Sequence, residues 1–443
     1  MSRMIRRLSR PSHGGKTWQG LTTSFDRQPM STESLKSDSG LPLTIIAAMC
    51  LGGIAGVLLG QDAVPLGVFG KLFVQLIKML AIPLVFFSIL EALVATSISW
   101  KSAGKLFIVV AINSTCALLI GLSLSNLIEP GRGFVFQARP GDLPPSGIKE
   151  FDLQTALNAI VPSSILQPFV ENNVISVVLL ALLIGGALRR HLYTPKANYA
   201  VGQFEKFIGT VLAVWGIVLD WLVRLVPIAV LCVTARTVGE YGFAPFKGLA
   251  WYTGLAICGL AIHVTLVYPI WIRLVAGVPL WSFWMHARRP IVYAFGTNSS
   301  LATLPLTLTA LDELRVPKSA SRLGACIGTN LNNDGIILYE AMAVLFVAQA
   351  YGIDLSITQQ VTAALLSLAA AIGVAGIPEA GVISLSLVLT AVGLPLEILP
   401  MLLTVDWIIA RARSITNVLS DMTVSIGIAS LEKQEILPVN KVR

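Results

Sequence analysis

Apolar residues run through this chain in long blocks rather than in the alternating or one-faced patterns of soluble elements. Blocks of roughly 18 residues or more fall near 41–60, 68–97, 104–128, 174–188, 207–235, 249–275, 337–350 with their flanks, 361–395 and 398–430. Helices of that length cross the ~30 Å hydrocarbon core of a bilayer, so the pattern predicts about eight spans, some of them interrupted. The last block carries Asp406, Arg413, Asn417 and Asp421. At about 100° per residue these four lie within an arc of roughly 80° on one helical face. Three are charged, and a charge at mid-bilayer costs about 2.5–3.5 kcal/mol on insertion scales, so this face must meet protein, water or ligand rather than lipid. It is a candidate functional site on energetic grounds alone.

The first half reads as ordinary spans joined by short loops, with one longer Pro/Gly-rich extramembrane segment, EPGRGFVFQARPGDLPPSG, from Glu129 to Gly147. The second half is broken where a plain helix would not be. FGTNSSLATLPLTLTA, from Phe295 to Ala310, sets Thr297, Asn298, Ser299, Ser300 and Thr303 ahead of Pro305. AAIGVAGIPEAGVISL, from Ala370 to Leu385, is interrupted by Gly373, Gly376, Pro378 and Gly381. Taken singly, each reads as an interhelical loop or as the tip of a re-entrant hairpin. Discontinuous segments that recur around a polar seam favour the hairpins, whose freed backbone N–H groups can point at an anion. Between them, GTNLNNDGIILYEAMAVLFVAQ places Asn330, Asn332, Asn333 and Asp334 directly before an apolar helix, with Gly335 permitting an unwound turn. An N-cap needs one such residue. Several side-chain oxygens and exposed carbonyls at a helix break are what a desolvated hard cation requires.

Composition narrows the class. The chain has 443 residues, 55% hydrophobic and 13% charged, with a mean hydropathy of +0.76, which excludes an ordinary soluble protein. At that hydropathy the net charge of +8 does not point to nucleic acid. The basic residues flank apolar blocks instead: Arg3, Arg6, Arg7, Arg10 and Lys16, then Arg189 and Arg190, then Arg288 and Arg289. The positive-inside rule then puts the N-terminus in the cytoplasm. Residues 1–40 read as a basic, disordered cytoplasmic tail without the apolar core of a secretory signal, a transit peptide being the alternative. Residues 432–443 read as a second cytoplasmic tail. Cys50, Cys116, Cys232, Cys258 and Cys326 stand alone within apolar runs, and His13, His191, His263 and His286 are scattered. No metal-ligand spacing, disulfide framework or nucleophile arrangement results, so neither an enzyme nor a resident cofactor is expected.

The order of a Ser/Thr-rich broken hairpin, an Asn-rich unwound helix, a Gly/Pro hairpin and a helix carrying D…R…N…D resembles the dicarboxylate/amino-acid:cation symporters, which include the excitatory glutamate transporters. KMLAIPLVFFSILEAL early in the chain and VPSSILQPFVENNVISVVLLALLIGGAL in its middle are similar to this family too. The resemblance implies an all-α polytopic membrane protein of eight transmembrane helices and two re-entrant hairpins, at about 280–313 and 358–394, within a symporter domain over 41–431. It further implies inverted repeats, a scaffold and a mobile transport part, a homotrimer in the cell membrane, and substrate movement by an elevator-like slide.

By the same resemblance Ser299 and Ser300 lie in the first tip, and Val374, Ala375 and Gly376 in the second, gating tip, where backbone groups hold a substrate carboxylate. Arg413 matches the position that binds a second carboxylate, with Ser414 and Asn417 beside it; an ion pair with Asp406 or Asp421 is the other reading of that arginine. Asn332, Asn417, Asp421 and the carbonyl of Gly328 match one sodium site. Asp334, Asn332, Asn113 and Ser114 match another, with Asn113 standing where the family has Thr. Carbonyls near Asn330 and the second hairpin match a third. The coupling ions implied are Na+ and/or H+, and Glu340 is a candidate proton carrier or, equally, a structural hydrogen-bonding group.

This chain departs from the family at several points. The usual Asn-Met-Asp-Gly-Thr reads Asn332-Asn333-Asp334-Gly335-Ile336, and Glu379 stands where relatives are usually uncharged. Ala410, one turn before Arg413, stands where amino-acid carriers usually have the Asp that binds the substrate ammonium, Asp406 or Glu379 being the other carboxylates available for that charge. An ammonium without a counter-charge in a dry site costs several kcal/mol. The expected cargo is therefore a C4-dicarboxylate such as succinate, fumarate or malate, with an acidic or neutral amino acid as the alternative. A dedicated anion channel or an intramembrane enzyme would need charge rings, filter carbonyls or a catalytic constellation that the sequence does not present.

Overall fold

The computed structural model describes residues 41–94, 100–132, 161–171, 173–192, 198–373 and 380–433. The two tails, most of the Pro/Gly-rich loop, Val374, Ala375, Gly376 and Glu379 lie outside the described residues, as does the side chain of Asn330. Among the described residues all regular structure is helical.

Helix α1 is Leu41–Leu59 and α2 is Gly67–Val94, joined by a 3-10 turn at Gly60–Leu66. Helices α3 (Trp100–Ile128), α4 (Val174–Leu192), α5 (Asn198–Val223) and α6 (Val226–Tyr241) follow. Helix α7, Ala244–Ile262, runs on through π-helical turns at His263–Val267 and Ile270–Val275. Helices α8 (Leu280–Thr297) and α9 (Ser300–Glu313) pack on each other across a break at Asn298 and Ser299. Helix α10 covers 318–331 with a π-helical turn at Arg322–Ile327, and after the unwound pair Asn332 and Asn333 comes α11, Asp334–Ala350. Helices α12 (Ile357–Gly373) and α13 (Ala380–Val392) pack on each other, and α14 is Leu399–Leu431.

Among the described residues, four stretches are long and apolar enough to cross a membrane: Leu43–Phe73, Ser102–Ile128, Gln203–Tyr241 and Pro245–Val275. The other expected spans are helical but differ for a physical reason. Helices α11, α12 and α13 are short, at 17, 17 and 13 residues, and α14 is long but carries Asp406, Arg411, Arg413 and Asp421. Helices α11, α13 and α14 are enclosed by protein rather than laid against lipid, whereas α12 keeps Ile357, Val361 and Leu365 exposed. Every residue of α11 except Gln349 is buried, as is most of α14. A helix buried on all sides needs no amphipathic stripe, and α11 has none.

The helices associate in two sets. Helices α1, α2, α4, α5 and α6 pack mainly on one another, and the tightest pair is α1 with α6. There the backbones approach so closely that a Cβ on Gly56 would stand 2.5 Å from the carbonyl of Ala235, the kind of contact that small residues permit between membrane helices. Helices α3 and α7 to α13 surround α14, which touches nearly all of them. The polar face of α14 is thereby fixed at the centre of the second set.

Candidate functional site

Asp406, Arg413, Asn417 and Asp421 are all buried along α14. Arg413 makes a two-pronged bond to Asp406, Nη1 to Oδ1 at 2.8 Å and Nη2 to Oδ2 at 3.0 Å. Side chains on a helix lean toward its N-terminus, which lets an arginine reach a partner two turns earlier. The guanidinium also lies 4.1 Å from the ring centre of Tyr339 on α11, a cation–π contact. On its other side it presses on α13, where a Cβ at Gly381 would stand 2.4 Å from the guanidinium carbon. The charge is thus clamped among three elements. Arg411 faces elsewhere, donating to the carbonyl of Trp407 at 2.6 Å.

The break between α8 and α9 is built by its own residues. Asn298 takes the left-handed conformation, φ +50°, which Asn tolerates better than most residues and which ends α8. Ser299 is extended and N-caps α9, its Oγ accepting from the N–H of Ala302 at 3.2 Å. Ser300 is buried at the start of α9. Ser414 Oγ donates to Asn298 Oδ1 at 2.9 Å, tying the break to α14 one residue from Arg413. The positive end of α9 and the guanidinium therefore belong to one region, where an anion is favoured.

Below it lies an oxygen-rich cluster around the unwound turn. Asp334, fully buried, accepts from Ser114 on Oδ1 at 3.3 Å. Its Oδ2 meets His263 Nε2 and Tyr268 OH, each at 3.3 Å, and Ser420 Oγ. Asn332 Nδ2 donates to the same Ser420 oxygen at 2.6 Å. Asp421 takes a hydrogen bond from Thr329 on Oδ2 at 2.8 Å, and Gly328 lies directly against its Oδ1. Two buried acceptors here, Asn332 Oδ1 and Asp421 Oδ1, have no hydrogen-bond partner among the described residues. Leaving such groups unmatched costs about 1–3 kcal/mol each, more for a charged one, and a cation held by oxygens removes that cost.

Of the residues expected at the two matched ion sites, the fold thus joins Asp334 with Ser114 and Asn332, and Asp421 with Gly328. Asn113 is close by, but its Oδ1 accepts from Trp271 Nε1 at 2.7 Å. The Asn417 side chain is committed to the unwound turn, Oδ1 accepting from the Gly335 N–H at 2.9 Å and Nδ2 donating to Asn333 Oδ1 at 3.3 Å. Asn330 belongs to the last turn of α10. Ala410 is buried on α14. Glu340 is fully buried on α11, and neither of its carboxylate oxygens has a hydrogen-bond partner among the described residues; Ser367 of α12 and Ser384 of α13 are its polar neighbours.

Sequence reasoning missed His263 and Tyr268. Five residues apart, they would diverge by about 140° on an α-helix, but the intervening π-helical turn brings i and i+5 to one face. A histidine inside an apolar block was the only available signal. Thr329 and Ser420 were missed too, though each adjoins a residue that was singled out.

Residues 41–431 match the sodium:dicarboxylate symporter family over nearly the whole chain, and the protein belongs to that family. It is a transport protein of a symporter class, not an enzyme. Among named relatives, it is 29% identical over 407 residues to the proton/sodium-glutamate symport protein of Bacillus subtilis (strain 168), covering 89% of this chain and 93% of that one. It is 28% identical over 416 residues to the C4-dicarboxylate transport protein of the same organism, covering 90% and 95%. Identity to C4-dicarboxylate transport protein 3 of Ralstonia nicotianae is 30% over 397 residues, 87% of this chain and 86% of that protein.

Proposed function

We propose that this symporter carries a C4-dicarboxylate such as succinate, fumarate or malate inward across the cell membrane, driven by Na+ and/or H+, as a trimer working by an elevator-type movement. One observation carries the choice of cargo. The buried position one turn before Arg413 is Ala410, so the face that holds the guanidinium offers no additional carboxylate there for a substrate ammonium. Asp406 does not take that role, because both its oxygens are engaged by Arg413. One substrate carboxylate would share the guanidinium with Asp406, a geometry suited to its forked donors. The other would meet the first turn of α9 and the tip between α12 and α13. In this reading Na+ is a co-substrate held by Asp421, Asn332 and the Gly328 carbonyl, and by Asp334 with Ser114. Glu340, between α12 and α13, is the group assigned to carry a proton.

The test is to supply the missing charge. Ala410→Asp should raise uptake of aspartate relative to succinate at least tenfold, both measured in the same vesicles, because a counter-charge for a desolvated ammonium is worth more than the ~1.4 kcal/mol that tenfold represents. An unchanged ratio would remove Ala410 from the account. The likeness to a proton/sodium-glutamate symport protein supports an acidic amino acid as the second reading. In that case the unsubstituted chain prefers aspartate or glutamate from the outset.

A further inference from the structure

A cavity of about 180 Å³ lies where the two sets of helices meet, between α2 and α6 of the first set and the start of α14. Two glycines three residues apart on α2 shape it. A Cβ at Gly67 would stand 2.3 Å from Cδ of Arg236 on α6, so bare backbone there lets the arginine lie across α2. A Cβ at Gly70 would stand 2.4 Å from Cγ2 of Val233 on α6 and 3.3 Å from Cγ of Pro400 in the first turn of α14, so the three helices close in to give one apolar wall. The volume exceeds the ~150 Å³ of an engineered cavity that takes up benzene, and a compact organic molecule fits.

The charges in its lining do not balance. Arg236, mostly buried, gives its Nε to Glu240 Oε2 at 3.3 Å and has no further partner among the described residues. Tyr241 OH donates to the other oxygen of Glu240 at 3.0 Å, which fixes that carboxylate and with it the plane of the guanidinium. Lys71, ~6 Å along α2 from Gly67, meets Glu397 at 3.6 Å across the boundary between the sets. Glu240 is not part of the lining, so two cations face one carboxylate there. A held guanidinium with Nη1 and Nη2 uncommitted is a forked receptor for a carboxylate.

We propose that this cavity is a second, outer binding site for a compact dicarboxylate. One carboxylate forks onto Nη1 and Nη2 of Arg236, the other takes Lys71 in competition with Glu397, and the carbon chain lies against Val233 and Pro400. The choice of a C4 acid rests on the cargo reading, while two cations about one turn apart call for a dianion whatever the main site carries. With the N-terminus in the cytoplasm, α1 brings the turn at Gly60–Leu66, and so the start of α2 and this cavity, to the outer face where cargo for inward transport arrives. The cavity shares no residue with the Arg413 site. Its charges are side chains of the protein, so occupancy needs no sodium.

The experiment is isothermal titration of succinate into the full-length protein in lipid nanodiscs, in choline chloride and in sodium chloride, with butyrate as the acid of equal length but one carboxylate. In choline the wild type should show a succinate component that sodium does not strengthen and that butyrate matches at least tenfold more weakly. Lys71→Gln, at a half-exposed residue, and Arg236→Lys, which keeps a cation for Glu240 but has no fork, should each weaken this component at least tenfold. The double variant Arg413→Ala with Asp406→Ala should keep it. No succinate binding in choline, equal binding of butyrate, or a component that Lys71→Gln and Arg236→Lys both leave unchanged would overturn the outer site. So would loss of the component in a double variant that still elutes as the wild type does. If the sodium-dependent component takes aspartate in place of succinate, the cargo reading falls, and the titrations in choline still decide the outer site.

Discussion

Replacing Arg413 by alanine is expected to abolish dicarboxylate uptake, with apparent affinity falling at least a hundredfold. A charge-assisted bond contributes about 1.5–3 kcal/mol, and a fork makes two of them, so about 3–6 kcal/mol of recognition rests on this group. The same change strands Asp406, whose partner in the fold is this guanidinium. An uncompensated buried carboxylate costs about 3–5 kcal/mol, so a loss of transport could reflect loss of fold. The double variant Arg413→Ala with Asp406→Ala separates the two. It should regain thermal stability, read by size-exclusion after heating, and still fail to take up substrate. If either variant keeps wild-type affinity, Arg413 is only half of a structural ion pair.

Asp421→Asn should leave the protein folded and reduce its response to cations, raising the sodium concentration for half-maximal uptake at least tenfold. Thr329 still has an oxygen to donate to, and the shape is kept. What changes is the unmatched Oδ1, set against Gly328 near the unmatched oxygen of Asn332. An amide there removes the negative charge and places a donor among acceptors that otherwise call for an ion. The variant is therefore expected to be as stable as the wild type without sodium, and less stabilised by adding it. Equal sodium and pH dependence in both proteins would eliminate this part of the site.

The polar face of α14 was legible in the sequence because charge in an apolar block has an energetic cost that cannot be hidden. The break at Asn298 and Ser299 was legible because left-handed and N-capping residues announce it locally. The order of these pieces also sufficed to indicate the family that residues 41–431 match. The partners were less visible. Arg413 reaches Asp406 across seven residues, outside the usual i+3 and i+4 rules, so the sequence alone does not choose between an ion pair and a substrate site. His263 meets Asp334 from 71 residues away, and only through a π-helical turn that no periodicity reveals. Asn333 was noticed for the methionine it replaces, but its bond to Ala371 depends on how α12 packs.

Cation-driven transport of a C4-dicarboxylate is read out by uptake into proteoliposomes of the unaltered protein. Labelled succinate, fumarate, malate, aspartate and glutamate are offered separately under an inward sodium gradient, an inward proton gradient and no gradient. Uptake of the C4 acids should be saturable, need at least one of the gradients and exceed aspartate uptake at least tenfold. Faster uptake of aspartate or glutamate, or flux that proceeds equally without a cation gradient, would contradict it.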